Sequence, residues 1–159
     1  MKDNDKSGNK EYIFGTLMVI TNRMDKLVER KLAPFDMTSK QWLLSAFTEK
    51  AFKSPPTIKE AAQLMGSSHQ NVKQVALKLE NKGFMELLRD KKDHRVTRLK
   101  LTEKSMKFWN EMDSTCSDFA EDVFQGMQEE ELAILRNGIE KILGNISKME
   151  RETDEGGEE

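Results

Sequence analysis

A mainly α-helical chain with one small β-hairpin is the fold class that the sequence predicts, on three observations. Two helical stretches, from Thr57 to Met65 and from after Ser68 to about Lys82, are joined at Gly66 by a turn of three or four residues. Two short strand-like runs, Phe84 to Leu88 and Val96 to Leu101, then flank a charged loop. Long amphipathic stretches, about residues 10–32 and 103–149, stand on either side of this block. Together they outline a winged helix-turn-helix, with the N- and C-terminal helices forming a helical dimerisation region.

Residues 1 to 10 are polar and are expected to fray. The first helix, about 10–32, places Ile13, Leu17, Ile20, Met24, Leu27 and Val28 on one side, and Pro34 follows its end. Thr38 with Gln41 three residues on forms a capping box for the next helix, which presents Trp42, Leu43, Ala46 and Phe47. The stiff linker Lys53-Ser54-Pro55-Pro56 leads into Thr57-Ile58-Lys59-Glu60, a second capping box. Ile58, Ala61, Ala62, Leu64 and Met65 recur at helical spacing, with two alanines small enough for a close helix crossing. Ser67 and Ser68 are both candidate N-caps for the following helix, and Gly83 closes it. Residues of about 38–101 therefore form one lobe of a single protomer spanning 1–149.

On the second helix of the pair, Val72, Val75, Ala76 and Leu79 share the face that packs inward. Gln70, Gln74 and Leu77 lie nearly opposite, with Lys73 beside them, so this face is left for a partner. Glutamine reads adenine bidentately and lysine suits guanine or phosphate, which fits a recognition helix set in a DNA major groove. Ser67 and Ser68 are placed to hold a phosphate at the helix start. The loop Arg89-Asp90-Lys91-Lys92-Asp93-His94-Arg95 is too polar to bury, which makes it a hairpin tip in solvent. An arginine on such a tip suits a narrow minor groove, and Asp93 is spaced to brace Arg95. Lys91 and Lys92 add positive charge beside it.

The formal net charge of the 159 residues is −2, which by itself argues against a polyanionic partner. Its distribution reverses that conclusion. Between Ser67 and Lys107 there are eleven Lys and Arg residues against five Asp and Glu, and the acidic excess sits elsewhere, notably in 150–159. Phosphate binding follows local potential. That acidic segment is too polar to pack and is expected to be a disordered tail. Ahead of it the helical stretch from residue 103 carries Met106, Trp109, Met112, Cys116, Phe119 and Val123 and breaks around Gly126. Leu132, Leu135, Ile139, Ile142, Ile146 and Met149 then recur at alternating three- and four-residue steps, a heptad-like seam. This is more apolar stripe than one winged lobe requires, which points to pairing of two subunits; an intramolecular bundle has the same periodicity.

The order Thr57-Ile58-Lys59-Glu60-Ala61-Ala62, Gly66-Ser67-Ser68, Leu79-Glu80-Asn81-Lys82-Gly83-Phe84, Asp93-His94-Arg95 and Leu99-Lys100-Leu101-Thr102 resembles the MarR (multiple antibiotic resistance regulator) family of bacterial transcription factors. Met37-Thr38-Ser39-Lys40-Gln41-Trp42-Leu43-Leu44 is similar to that family's helix ahead of the DNA-binding lobe. The Asp-x-Arg wing followed by a strand ending in Leu-Thr is the most specific part. The resemblance implies that Arg95 contacts the minor groove and Asp93 orients it. It also implies a homodimer with interlocked first and last helices, bound as a repressor to a pseudo-palindromic operator on double-stranded DNA. Members commonly sense a small aromatic or phenolic ligand between the dimer helices and the lobe. Met18, Trp42, Phe47, Trp109 and Met112 are the residues here that would line such a cleft, although an aromatic and methionine stripe is more often core.

Other chemistries find less support. Hydrophobic residues make up 36% and charged residues 34%, no apolar run approaches a membrane span, and the start Met1-Lys2-Asp3-Asn4-Asp5 lacks the apolar core of a signal peptide, so a cytoplasmic protein with no membrane partner is expected. Glycine-rich phosphate loops are absent and neither His69 nor His94 sits in a nucleophile motif, so no enzyme activity and no cofactor are expected. His69, Asp90, Asp93 and His94 lack the spacing of a metal site. Cys116 is surrounded by Glu111, Asp113, Asp118 and Glu121, which disfavours a reactive thiolate. The alternative function is a winged-helix module that docks another protein without reading DNA sequence.

Overall fold

The computed structural model describes the backbone of residues 5–155 and the side chains of residues 8–112 and 117–153. In chain order it contains α1 (Asp5–Leu32), a 3₁₀ turn (Ala33–Phe35), α2 (Ser39–Lys50), α3 (Ile58–Leu64), α4 (His69–Asn81), β1 (Met85–Arg89), β2 (Thr97–Leu101), α5 (Glu103–Val123) and α6 (Glu129–Glu155). The chain divides into two compact units, residues 1–111 and 112–159, and the division falls inside α5.

Both predicted capping boxes are formed. The Gln41 amide donates to Thr38 Oγ1 at 3.3 Å while the Thr38 amide donates to Gln41 Oε1 at 3.1 Å. The Glu60 amide donates to Thr57 Oγ1 at 3.1 Å and the Thr57 amide to the Glu60 carboxylate at 2.6 Å, which holds that carboxyl below its usual range. Reciprocal satisfaction of two free amides fixes where α2 and α3 begin. At the other end of α3 the Ser67 amide donates to the Ala62 carbonyl at 3.0 Å and Gly66 adopts φ 56°, a left-handed turn that glycine enters without a Cβ penalty. Carboxylates on α1 tie it to the start of α2: the Ser39 amide donates to Glu29 Oε1 at 2.9 Å and the Ser39 hydroxyl to Asp25 Oδ1 at 2.5 Å. Negative charge there meets the positive end of the helix dipole.

Leu44, Val72, Ala76, Leu79, Met85 and Leu99 are buried at the centre of the first unit, together with Ile58, Ala61 and Ala62 from α3. The buried hydroxyls of Ser45 and Thr48 donate back to the Gln41 and Leu44 carbonyls at 2.9 and 2.7 Å, so the polar groups of α2 enter the core satisfied. β1 and β2 pair antiparallel in the register Met85↔Leu101, Leu87↔Leu99 and Arg89↔Thr97. The linker extends this sheet, because Thr57 bridges Arg98 and the Leu99 amide donates to the Pro56 carbonyl at 2.8 Å. Pro55 and Pro56 have no amide hydrogen to offer a further strand, which blunts that edge.

Several boundaries differ from expectation. α1 begins at Asp5 and not near Lys10, because extending a helix that is already nucleated adds one hydrogen bond per residue fixed. The strands begin one residue later than expected: Phe84 is buried ahead of β1, its amide used by the Leu79 carbonyl at 2.8 Å. The acidic tail expected to be disordered from residue 150 is helical as far as Glu155, a continuation of α6, and residues beyond it lie outside the described ones. Cys116 falls within α5, and its side chain lies outside the described residues.

The terminal helices expose their apolar residues. Tyr12, Ile13, Phe14, Met18, Val19, Ile20 and Leu27 of α1 are exposed, and so are Ile134, Leu135, Ile139, Ile142, Leu143, Ile146 and Met149 of α6. No described residue of α6 is buried. None of the helices, among the described residues, is long and apolar enough to cross a membrane.

Candidate nucleic-acid interface

α4 is amphipathic in the sense the sequence predicts. Val72, Ala76 and Leu79 are buried, Val75 is half-buried, and Gln70, Lys73 and Gln74 are exposed together on neighbouring turns. Leu77, placed among them by its angular position, is half-buried. Of the two serines proposed to cap this helix and hold phosphate, Ser68 is the cap, accepting from the Asn71 amide at 3.2 Å. Ser67 is half-buried and its amide is already bound to the Ala62 carbonyl. That bond occupies the Ser67 amide, whereas Ser68 is exposed at the helix start.

The wing tip is ordered by short-range bonds. The Arg95 amide and its Nε both donate to Asp93 Oδ1, at 3.0 and 3.3 Å, while the Arg95 side chain remains 92% exposed. This is the bracing expected of the Asp-x-Arg spacing: the guanidinium is aimed but not consumed. Lys91 and Lys92 are exposed on the same tip. The loop closes through the Asp90 amide to the Val96 carbonyl and the Val96 amide to the Asp93 carbonyl, both at 2.9 Å.

Beneath the tip lies a cluster that the sequence reading missed. Asp90 Oδ1 accepts from the Lys92 amide at 2.8 Å and from the Asp93 amide at 3.0 Å, and its Oδ2 accepts from Arg98 Nε. Arg98 Nη1 in turn donates to the Pro55 carbonyl at 2.8 Å. The Arg98 guanidinium, with the two backbone amides, holds the Asp90 carboxyl far below the usual carboxylate range. A depressed folded-state value means that the stabilisation is present above the unfolded pKa and is lost only as pH falls through the depressed one, so the cluster stays ionised at neutral pH. The signal for it was present in the strand period: Asp90 lies two residues past Leu88, the pairing partner of Arg98, on the same side of β1 extended.

The five residues suggested for an aromatic ligand differ in exposure. Met18 on α1 is exposed, Trp42 and Phe47 on α2 are half-buried, Trp109 on α5 is half-buried, and Met112 is buried. Trp109 Nε1 is itself buried and has no hydrogen-bond acceptor among the described residues. A groove of about 450 Å³ is lined by Phe84, Glu103, Lys104, Lys107, Phe108 and Glu111, with the Phe108 ring edge-on to Phe84, Phe35 and Trp109 at 5.2, 5.4 and 4.6 Å. No cluster of metal-ligating side chains exists among the described residues.

No protein-family model matches the chain. Solved structures do. A transcriptional regulator, PA3341, is 25% identical, covering 85% of this chain and 98% of its own, at a TM-score of 0.73. A MarR protein from Peptoclostridium difficile is 17% identical over 94% of this chain and 93% of its own, at a TM-score of 0.78. A complex of Staphylococcus aureus MepR with DNA matches at 19% identity, 82% and 94% coverage and a TM-score of 0.73. At the identities of the last two the likeness is one of fold.

Proposed function

We propose that this chain, which has the winged-helix fold of MarR-family regulators, is a DNA-binding transcriptional regulator: a homodimeric repressor that reads a pseudo-palindromic operator and is released by a small aromatic ligand. The observation that carries the reading is the coincidence, within one unit, of an exposed Gln70, Lys73 and Gln74 face and a braced, solvent-facing Arg95. The first suits the major groove and the second the minor groove. Ser68, Lys91 and Lys92 supply phosphate contacts, and Asp93 orients the arginine. The MepR complex supports DNA as the partner.

The exposed apolar side chains of α1 and α6 support self-association, since patches of this kind on a lone chain mark interaction surfaces. A two-fold dimer would offer its recognition helices to successive major grooves roughly 34 Å apart. Release by an aromatic acid or phenol is supported by the buried Trp109 N–H, which has no acceptor among the described residues and is a donor for a ligand oxygen. The test is titration of purified chain against duplex DNA at increasing salt. A dimer that neutralises about six phosphates is expected to lose affinity with a log–log slope of roughly −5. Binding that is absent, or indifferent to salt, contradicts the reading and favours protein docking by the same surface.

A further inference from the structure

The wing arginine is held by one carboxylate, but that carboxylate must itself be placed, and the hydrogen bonds beneath it run out of the wing altogether. Asp93 Oδ1 receives Arg95; the Asp93 amide is received by Asp90 Oδ1; Asp90 Oδ2 receives Arg98 Nε; and Arg98 Nη1 reaches the Pro55 carbonyl, 43 positions away in sequence. Pro55 and Pro56 immediately precede Thr57, the N-cap of α3, and Pro56 and Thr57 pair with Leu99 and Arg98 of β2. The series therefore joins the tip of the hairpin to the start of the first helix of the helix-turn-helix. From the proposed DNA-binding reading, on which this rests, we infer that Asp90 and Arg98 are positioning residues that index Arg95 to the helix pair, and hence to the recognition helix α4.

Burial, charge and geometry support this assignment over a direct DNA contact. The Asp90 side chain is only 14% exposed, so its bond to Arg98 is screened less than a surface pair. Arg98 donates both Nε and Nη1 within the protein, whereas Arg95 donates Nε to Asp93 and its side chain is otherwise 92% exposed. Asp90 accepts three bonds from three different positions of the wing, which fixes the tip in a way that a two-stranded ladder alone does not. A hairpin anchored only by its strand register is free to twist at the tip, and the two grooves of a duplex require the helix and the arginine at a set separation.

The inference is tested by a double-mutant cycle in operator binding on the full chain. Asp90→Ala is expected to weaken binding about tenfold in the parent chain and to add little in an Arg95→Ala background, because a residue that acts through Arg95 has nothing left to position. Arg98→Gln, which releases the Pro55 end while leaving the Lys92 and Asp93 amides their acceptor, is expected to show the same pattern and serves if Asp90→Ala fails to fold. Parent-like affinity of both single variants, or the same factor of loss in both backgrounds, overturns the inference and leaves DNA binding standing. Absence of duplex binding by the parent chain overturns both.

Discussion

Replacement of Arg95 by alanine is expected to lower operator affinity by roughly 1–3 kcal/mol per copy, which for two copies in a symmetric dimer is a loss of about thirtyfold at the least and about ten-thousandfold at the most. The size of the effect follows from how the side chain is held. It is 92% exposed and its ion pair among the described residues is to Asp93, so the folded chain loses little when it is removed. DNA would lose a preoriented guanidinium at the minor groove, where narrow width strengthens the negative potential. Fluorescence anisotropy with a labelled duplex, beside sedimentation of the free protein, separates the two. The dimer is expected to sediment unchanged while binding falls; unchanged binding removes the wing from the mechanism.

Introduction of a carboxylate into the seam of α6 is expected to have the second large effect. Ile139→Glu places a charge where an apolar side chain is left half-exposed by the chain alone, at 46%. If a second copy covers that position, two unpaired carboxylates are buried per dimer, each at a cost of several kcal/mol after relaxation. The expected product is a folded monomer. Operator affinity then falls steeply, because the second recognition helix no longer binds as part of the same molecule. Sedimentation decides it: a dimer that persists at micromolar concentration places the subunit contact elsewhere or removes it.

Where sequence reading succeeded and failed follows the range of the interactions involved. The caps at Thr38 and Thr57 and the brace between Asp93 and Arg95 span two or three residues, so spacing alone reveals them. The polar face of α4 follows from a 100° step per residue and its buried counterpart. Arg98 escaped notice because one of its acceptors, the Pro55 carbonyl, is brought beside it only by the packing of the linker on β2. The choice between Ser67 and Ser68 as cap turned on a backbone bond from Ser67 to Ala62, which no side-chain propensity encodes. The start of α1 and the reach of α6 to Glu155 were misjudged for one reason: polarity argues against packing, not against helix. An unpacked polar stretch joined to a formed helix continues it.

The division of the chain at Met112 has the same origin. Periodicity showed that α5 and α6 carry apolar stripes, but a stripe does not say what covers it. The exposed side chains of α1 and α6 are the surface that a second copy would cover. In the proposed dimer that copy would supply a second helix and wing, because one lobe alone presents one of each.

Selection of bound duplexes from a randomised library, followed by sequencing, decides whether two lobes read DNA as a pair. Inverted repeats whose half-site centres lie roughly 10 base pairs apart are expected to be enriched. Failure to enrich any sequence over the input library, or enrichment of single half-sites only, would contradict paired reading.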